Sequence, residues 1–180
     1  MTRRRAGYTM IELLMVVAMV GILAALAVPV FNGYRYRSRV SEAVTFLADI
    51  RQRQEAYRSE FGRYCSVSGP PTALGTWAPT TAPNPPGRAL VEWDYSGGAW
   101  NQLGAAPDGF VRFQYRTVAG LPTEATPAPV GYDGSDFWYI AQARADLDGD
   151  GQLMIMEAYS AASHIFIGDA SMNMLSQGYE

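Results

Sequence analysis

With 180 residues, the chain has room for one domain of ordinary size and a membrane segment. Its composition, 48% hydrophobic and 17% charged, is globular and excludes wholesale disorder. All fourteen basic residues are arginine, and from Ala89 onward twelve acidic residues stand against three arginines. An acidic C-terminal part argues against nucleic-acid binding through it, because phosphate recognition needs clustered basic residues.

The N-terminal stretch pairs a basic cluster with a long apolar run. Three arginines at positions 3–5 precede nineteen uncharged residues from Leu13 to Phe31. As a helix these nineteen residues would be about 28 Å long, which is close to the thickness of a bilayer's hydrocarbon core. The run therefore predicts a single membrane span, and the arginines place Met1 in the cytoplasm.

Glu12 immediately precedes this apolar run. Toward the bilayer centre a carboxylate costs up to about 2.5–3.5 kcal/mol, and such residues tend to be functional and to have a partner. The alternative is a glutamate close enough to the interface to remain hydrated.

The residues around Glu12 form a recognisable motif. A basic leader ends at Gly7, and it is followed by Tyr8-Thr9-Met10-Ile11-Glu12, with Gly21 and Pro29 further along the span. This pattern resembles the N-terminus of type IV pilins and the related pseudopilins. Tyr8 stands where the family usually has Phe, and Met10 where it usually has Leu; both departures are conservative.

The resemblance implies a processing and assembly pathway. Residues 1–7 would be a leader that a prepilin peptidase removes by cutting after Gly7, and the same enzyme would methylate the new N-terminus at Tyr8. Glu12 would then pair with the Tyr8 amine of a neighbouring subunit. Gly21 and Pro29 would belong to the assembly segment, where the helix of the family bends or melts as subunits pack. A simple kink at Pro29 is the other interpretation.

A signal peptide and a plain signal anchor are the alternatives for the N-terminal segment. A secretory signal peptide has a shorter apolar core and a small-residue cleavage site, and neither feature is present here. A plain signal anchor would explain the span and the arginines, but it would leave Gly7 and Glu12 at their spacing unexplained.

Beyond the span the pattern becomes that of an amphipathic helix. Apolar residues recur at three- and four-residue steps from Arg35 to Phe61, with one interruption at Gln54, and Gly62 is a suitable stop. Joined to the span, this predicts one helix over residues 8–62, on the order of 80 Å long. Such a length exceeds what a domain of this size can bury, so its first half would lie in lipid or against other subunits.

The remainder predicts a loop followed by a sheet. Residues 63–88 are rich in proline and indicate a surface loop, in which Trp77 is either a packing anchor or an exposed contact. Cys65, the sole cysteine, is expected to be buried. Residues 89–180 would form a β-sheet head, with strands predicted at Ala89–Tyr95, Phe110–Val118 (one face wet), Asp136–Arg144, Leu153–Met156 and His164–Ile167. The predicted fold is therefore α+β: a long N-terminal helix, half of it transmembrane, packed on an antiparallel sheet.

One loop of the head has metal-ligand spacing. Residues 146–157 match the twelve-residue calcium loop of EF-hands, with Asp146, Asp148 and Asp150 as the core ligands and Gln152 and Glu157 as further candidates. If the flanking segments are strands, Glu157 lies too far along to close the site. The alternative is an acidic hairpin turn that binds no Ca²⁺.

No enzymatic function is expected. One histidine and one cysteine provide neither a zinc site nor a catalytic triad, and no nucleotide-binding fingerprint occurs. The resemblance implies a structural subunit of a pilus-like filament, first inserted in the inner membrane and then periplasmic or extracellular. Its partners would be other pilin copies, the prepilin peptidase, an inner-membrane assembly platform and lipid. The alternatives are a minor pilin, a type II secretion pseudopilin, or a membrane-anchored calcium- or ligand-binding domain.

Overall fold

A computed structural model describes residues 8–81, 86–87, 89–95, 98–125, 134–169 and 174–176. It divides into two compact units between Ser38 and Arg39. The leader 1–7, including the proposed cleavage residue Gly7, lies outside the described residues.

The first element is the helix α1, Met10–Phe61, which has 52 residues and contains the predicted amphipathic segment. It is continuous through Pro29 and Gly33. Gly62 ends it as predicted: the residue has a left-handed φ of 71°, and its N–H donates to the carbonyl of Arg58 at 2.8 Å.

In the second unit α1 buries one face in the core. Val40, Ala43, Phe46, Leu47 and Ile50 are all buried there. The core continues through Gln54, which the sequence pattern marks as an interruption. Gln54 is 0% exposed, because its amide donates to the Cys65 carbonyl and accepts from the Cys65 N–H, both at 2.8 Å.

The strands form two antiparallel sheets. A two-stranded ribbon pairs β1 with β2, and a five-stranded sheet has the order β3-β4-β5-β6-β7. A short helix, α2, lies between β1 and β2 and has no counterpart among the predicted elements. The bounds are β1 Val91–Glu92, α2 Trp100–Leu103, β2 Phe110–Val111, β3 Gln114–Gly120, β4 Trp138–Ala145, β5 Met154–Tyr159, β6 Ile165–Asp169 and β7 Met174–Ser176.

The predicted strand at Phe110–Val118 is wrong as a single element. Its first two residues pair with β1, whereas the chain from Gln114 onward pairs with β4. The break lies at Arg112, whose N–H donates to the carboxylate of Glu42 on α1 at 2.7 Å. A side chain of the helix thus occupies a backbone donor at the point where the chain changes sheets. The predicted strand at Ala89–Tyr95 is likewise shorter, since only Val91–Glu92 is extended and paired.

The prediction of one wet face for the same segment is also wrong. Six of the seven residues of β3 are buried. On one face, Tyr115 packs edge-on against Phe46 of α1, with ring centroids 4.6 Å apart. The other face is covered by the Pro-rich segment, whose Trp77 stacks on Arg116 and whose Leu74 packs against the cluster of Val118 and Trp138.

The Pro-rich segment therefore lies against the sheet. The N–H groups of Val67 and Ser68 donate to the Thr117 carbonyl, and Ala78 exchanges backbone hydrogen bonds with Tyr115. Cys65 is buried at 3% exposure, as predicted, and forms no disulfide.

Arginines of α1 form hydrogen bonds and an ion pair with three turns of the head. Arg51 donates to the carbonyls of the β5–β6 turn at Ala162, Ser163 and His164. Arg39 donates to the Leu147 carbonyl at 3.2 Å, and Arg58 forms an ion pair with Asp136 at 2.8 Å. The helix thus contributes both the apolar core and polar contacts that position the loops.

Candidate functional site

The N-terminus of α1 has a reciprocal cap built from Thr9 and Glu12. The Thr9 backbone N–H and hydroxyl donate to Glu12 Oε2 at 2.9 and 2.8 Å. In return, the Glu12 N–H donates to the Thr9 hydroxyl at 3.3 Å. This arrangement is a capping box, which satisfies backbone donors that the first helical turn leaves without partners. The Thr-x-x-Glu spacing before an apolar run is a sequence signal for the cap, and the interpretation of Glu12 as a membrane anomaly missed it.

The cap uses only one oxygen of the Glu12 carboxylate. Within the part of the chain that the structure describes, Oε1 accepts no hydrogen bond. Tyr8, the expected mature N-terminal residue, is 90% exposed and lies four residues before Glu12. Gly7, on the other side of the expected cleavage point, is outside the described residues.

The helical turns after the cap expose apolar side chains on all sides. Every described residue from Tyr8 to Val28 is exposed, and so are Val30 and Phe31. This is the one helix, among the described residues, that is long and apolar enough to cross a membrane. A helix that is apolar all round requires an apolar environment, which is either lipid or other proteins.

Gly21 and Pro29 both lie inside α1. A Cβ placed on Gly21 would meet nothing within 4 Å, so the fold of the single chain does not demand a glycine there. Pro29 lies within the continuous helix, and its side chain is outside the described part.

The acidic loop forms the turn between β4 and β5. Carboxylate oxygens of Asp146, Asp148 and Asp150 all lie within 4.8 Å of one another. Asp146 is buried, with 7% exposure, and accepts hydrogen bonds from the N–H groups of Gly149 and Gly151 at 2.6 and 3.1 Å. The loop therefore folds back on the Asp146 carboxylate.

The structure does not bring Glu157 into this cluster. The residue lies on β5 opposite Gln142, three residues beyond the start of the strand, or about 10 Å along it. Its carboxylate accepts hydrogen bonds from Gln142 and Tyr159. Gln152 is exposed, and its backbone N–H donates to Asp150 at 2.7 Å. The flanks are strands, so the loop is a β-hairpin turn with EF-hand spacing and not a helix–loop–helix.

Comparison with known proteins identifies the N-terminal segment. Residues 2–28 match the family described as the prokaryotic N-terminal methylation motif. The chain is 48% identical over 61 residues to the type IV major pilin protein PilA of Myxococcus xanthus, an alignment that covers 34% of this chain and 28% of PilA. It is 39% identical over 92 residues to the type IV major fimbrial protein FimA of Dichelobacter nodosus, covering 47% of this chain and 56% of FimA.

A secretion protein matches over a similar number of residues. The chain is 32% identical over 89 residues to the type II secretion system core protein G of Dickeya chrysanthemi, covering 47% of this chain and 55% of that protein. The alignments thus span about half or less of these curated relatives, and no solved structure matches significantly. The chain thus carries the prokaryotic N-terminal methylation motif, is similar over its matched part to type IV pilins and to a type II secretion core protein, and has the pilin-like arrangement of a long helix followed by an antiparallel sheet.

Proposed function

We propose that this chain is a structural subunit of a type IV pilus-like filament, and that it assembles through the N-terminal half of α1. The observation that carries the proposal is the exposed apolar surface of the described side chains between Met10 and Phe31, next to a Glu12 carboxylate of which one oxygen accepts no hydrogen bond from any described residue. The precursor is held in the inner membrane by this segment, with its N-terminus in the cytoplasm. The prepilin peptidase cuts after Gly7 and methylates Tyr8, and an inner-membrane platform then adds the subunit to the filament.

Glu12 sets the register between subunits. Its Oε2 is engaged by Thr9 of the same chain, which leaves Oε1 to accept from the Tyr8 amine of the neighbour. An isolated carboxylate or ammonium is costly in an apolar filament core, whereas the pair is tolerated. Subunits that slip along one another would separate the two charges, so only one register pairs them.

The apolar segment then exchanges lipid for neighbouring subunits. Gly21 has open space around it in the single chain, so a neighbour can approach the helix closely at that point. The role is structural and non-enzymatic. The similarity to a type II secretion core protein favours a second candidate, a pseudopilin, in which the same segment builds a secretion filament; a minor pilin would use it in the same way.

The test is Glu12→Ala, with Glu60→Ala as the matched control, because Glu60 is an exposed glutamate on the same helix outside the span. Glu12→Ala should leave leader removal intact and stop incorporation into filaments. The measurement is N-terminal sequencing of the membrane form together with the amount of subunit in sheared filaments. Normal incorporation of Glu12→Ala would refute the role of Glu12, and an unprocessed Met1 in the parent protein would indicate a plain membrane anchor.

The Asp146 loop is proposed as a second, separate site that binds Ca²⁺. Three carboxylates at alternate positions, all within reach of one cation, are the oxygen donors that Ca²⁺ prefers. Without Glu157, backbone carbonyls or water must complete the coordination. Calcium should raise the melting temperature of the mature chain in detergent, and Asp146→Asn with Asp150→Asn should abolish the effect. The exposed Asp108→Asn is the control, and a melting temperature that calcium leaves unchanged in the parent would return the loop to an ordinary turn.

A further inference from the structure

Two arginines stand together on the face of the sheet opposite α1. Arg116 of β3 and Arg144 of β4 are both half-buried. Their guanidinium carbons lie over one indole ring, that of Trp77, at 4.0 and 4.3 Å from its centroid. The Pro-rich segment thus provides one aromatic ring that contacts both cations.

The hydrogen bonds of these arginines go to neutral side chains. Arg116 Nε donates to Gln142 Oε1 at 2.6 Å, and Arg144 donates through Nε and Nη2 to Gln114 Oε1 at 3.0 and 2.8 Å. Among the residues that the structure describes, no carboxylate oxygen lies within 4.0 Å of either guanidinium. Arg53 and Arg58 on α1, by contrast, each pair with an aspartate.

Glu157 shares this face but forms no ion pair with either arginine. Its carboxylate accepts from the Gln142 amide and from the Tyr159 hydroxyl. Gln142 therefore stands between the two charges: its oxygen accepts from Arg116 while its nitrogen donates to Glu157. Both terminal nitrogens of Arg116 remain without an acceptor in the described chain.

This arrangement is electrostatically unfavourable as it stands. Burial, together with the charge of Arg144, lowers the pKa of Arg116 to about 10, although the charge of Glu157 acts in the opposite direction. Stacking on indole offsets part of the cost, because the ring face attracts cations. Guanidinium N–H groups that have no acceptor are the donors with which arginine binds carboxylate, phosphate and sulfate groups, often through two parallel hydrogen bonds.

We propose that Arg116 and Arg144, held on Trp77, form a binding site for an oxyanion group. From Ala89 onward the chain has twelve acidic residues and three arginines. The proposed site contains two of those three arginines. The oxyanion can come from a free anion or from a carboxylate of a second copy of the chain. The site does not depend on the proposed role in a filament.

Inorganic phosphate is the probe, titrated into the full mature chain in detergent against chloride at equal ionic strength. A ligand that binds the folded state raises the melting temperature by mass action, so phosphate should raise it beyond the effect of chloride. Arg116→Gln and Arg144→Gln should each weaken the apparent phosphate affinity by about tenfold or more, since each removes one charged donor group. Arg53→Gln removes an arginine charge outside the site and should respond like the parent.

Two results would overturn the site. One is the absence of any phosphate-specific shift in the parent, which needs no variant. The other is a phosphate-dependent melting shift in Arg116→Gln equal to that of the parent, which would mean that the arginines only hold Trp77 in place and do not bind phosphate. If Arg116→Gln fails to fold, Arg116→Lys keeps the charge without the two-pronged donor set and should bind phosphate more weakly than the parent.

A sedimentation measurement distinguishes the two sources. If a second copy provides the carboxylate, self-association of the chain in detergent should weaken both in phosphate and in Arg116→Gln. If the occupant is a free anion, the phosphate-dependent melting shift should appear without any change in self-association.

Discussion

The two halves of α1 have the same helical backbone, but the first exposes its apolar side chains and the second buries one apolar face. In the first half, every described apolar side chain from Tyr8 to Phe31 is exposed, and the polar contacts near the N-terminus are those of the Thr9–Glu12 cap. After Arg39 one face is buried in the core, and arginines hold three turns of the head. The first half therefore acquires its packing from outside the chain, whereas the second half provides the packing of its own domain. Substitutions in the two halves should accordingly affect different measurements.

The largest contrast should come from one leucine in each half. Leu47→Ala removes a fully buried side chain and should cost about 2–5 kcal/mol in the free energy of unfolding of the head. Leu14→Ala changes a side chain that is 65% exposed and should alter that free energy by less than about 0.5 kcal/mol. Denaturant unfolding of the full chain in detergent, followed by tryptophan fluorescence, measures both. Equal costs would contradict the division of the helix.

Within the second half of α1, a buried and an exposed glutamine can be compared. Gln54→Ala leaves the N–H and carbonyl of Cys65 buried without partners, which should cost about 1–3 kcal/mol for each unsatisfied group. The control is Gln52→Ala, an exposed glutamine two residues away that should have little effect in the same unfolding measurement. If both variants were equally stable, the amide would not be what joins the helix to the connecting segment.

The smallest expected effect is a pH dependence from Glu42. Burial raises its pKa above the usual 4.5, although the N–H of Arg112 acts in the opposite direction. Since the unfolded chain ionises this carboxyl first, its contribution to stability falls as the pH rises from about 4.5 through the raised value. Glu42→Gln should remove that slope and gain stability relative to the parent toward neutral pH. The measurement is the free energy of unfolding of the parent and of Glu42→Gln at several pH values, with the exposed Glu60→Gln as the control. If the parent and Glu42→Gln showed the same dependence on pH, the prediction would be contradicted.

The sequence was sufficient for the features that depend on local pattern. The apolar run, the three- and four-residue periodicity and Gly62 predicted α1 closely, and the residues from Gly7 to Glu12 indicated the methylation motif that matches at residues 2–28. Cap chemistry at Thr9 was also within reach of the sequence, because it depends on residues three apart.

The remaining features depend on contacts between distant residues. Phe110–Val118 divides at Arg112 because Glu42, seventy positions earlier, takes its N–H. Both faces of β3 are buried because Trp77 of the Pro-rich segment covers one of them. The proline content of that segment did not indicate which part of the sheet it packs against. Glu157 has the spacing of a calcium ligand, yet the β-hairpin directs it to Gln142.

Under the assembly role proposed for Glu12, the cap at Thr9 has a consequence for the affinity between subunits. A free glutamate side chain samples many rotamers, and ordering it upon binding costs entropy that is subtracted from affinity. Here two hydrogen bonds from Thr9 already fix the Glu12 carboxylate, so that part of the ordering is complete before any neighbour arrives. Thr9→Val would keep the Glu12 charge and the backbone N–H donor but remove the hydrogen bond from the hydroxyl, and would therefore lose part of this preorganisation. Under the proposed role of Glu12, a subunit with this change would still offer the carboxylate to its neighbour, but one hydrogen bond fewer would hold that carboxylate in place.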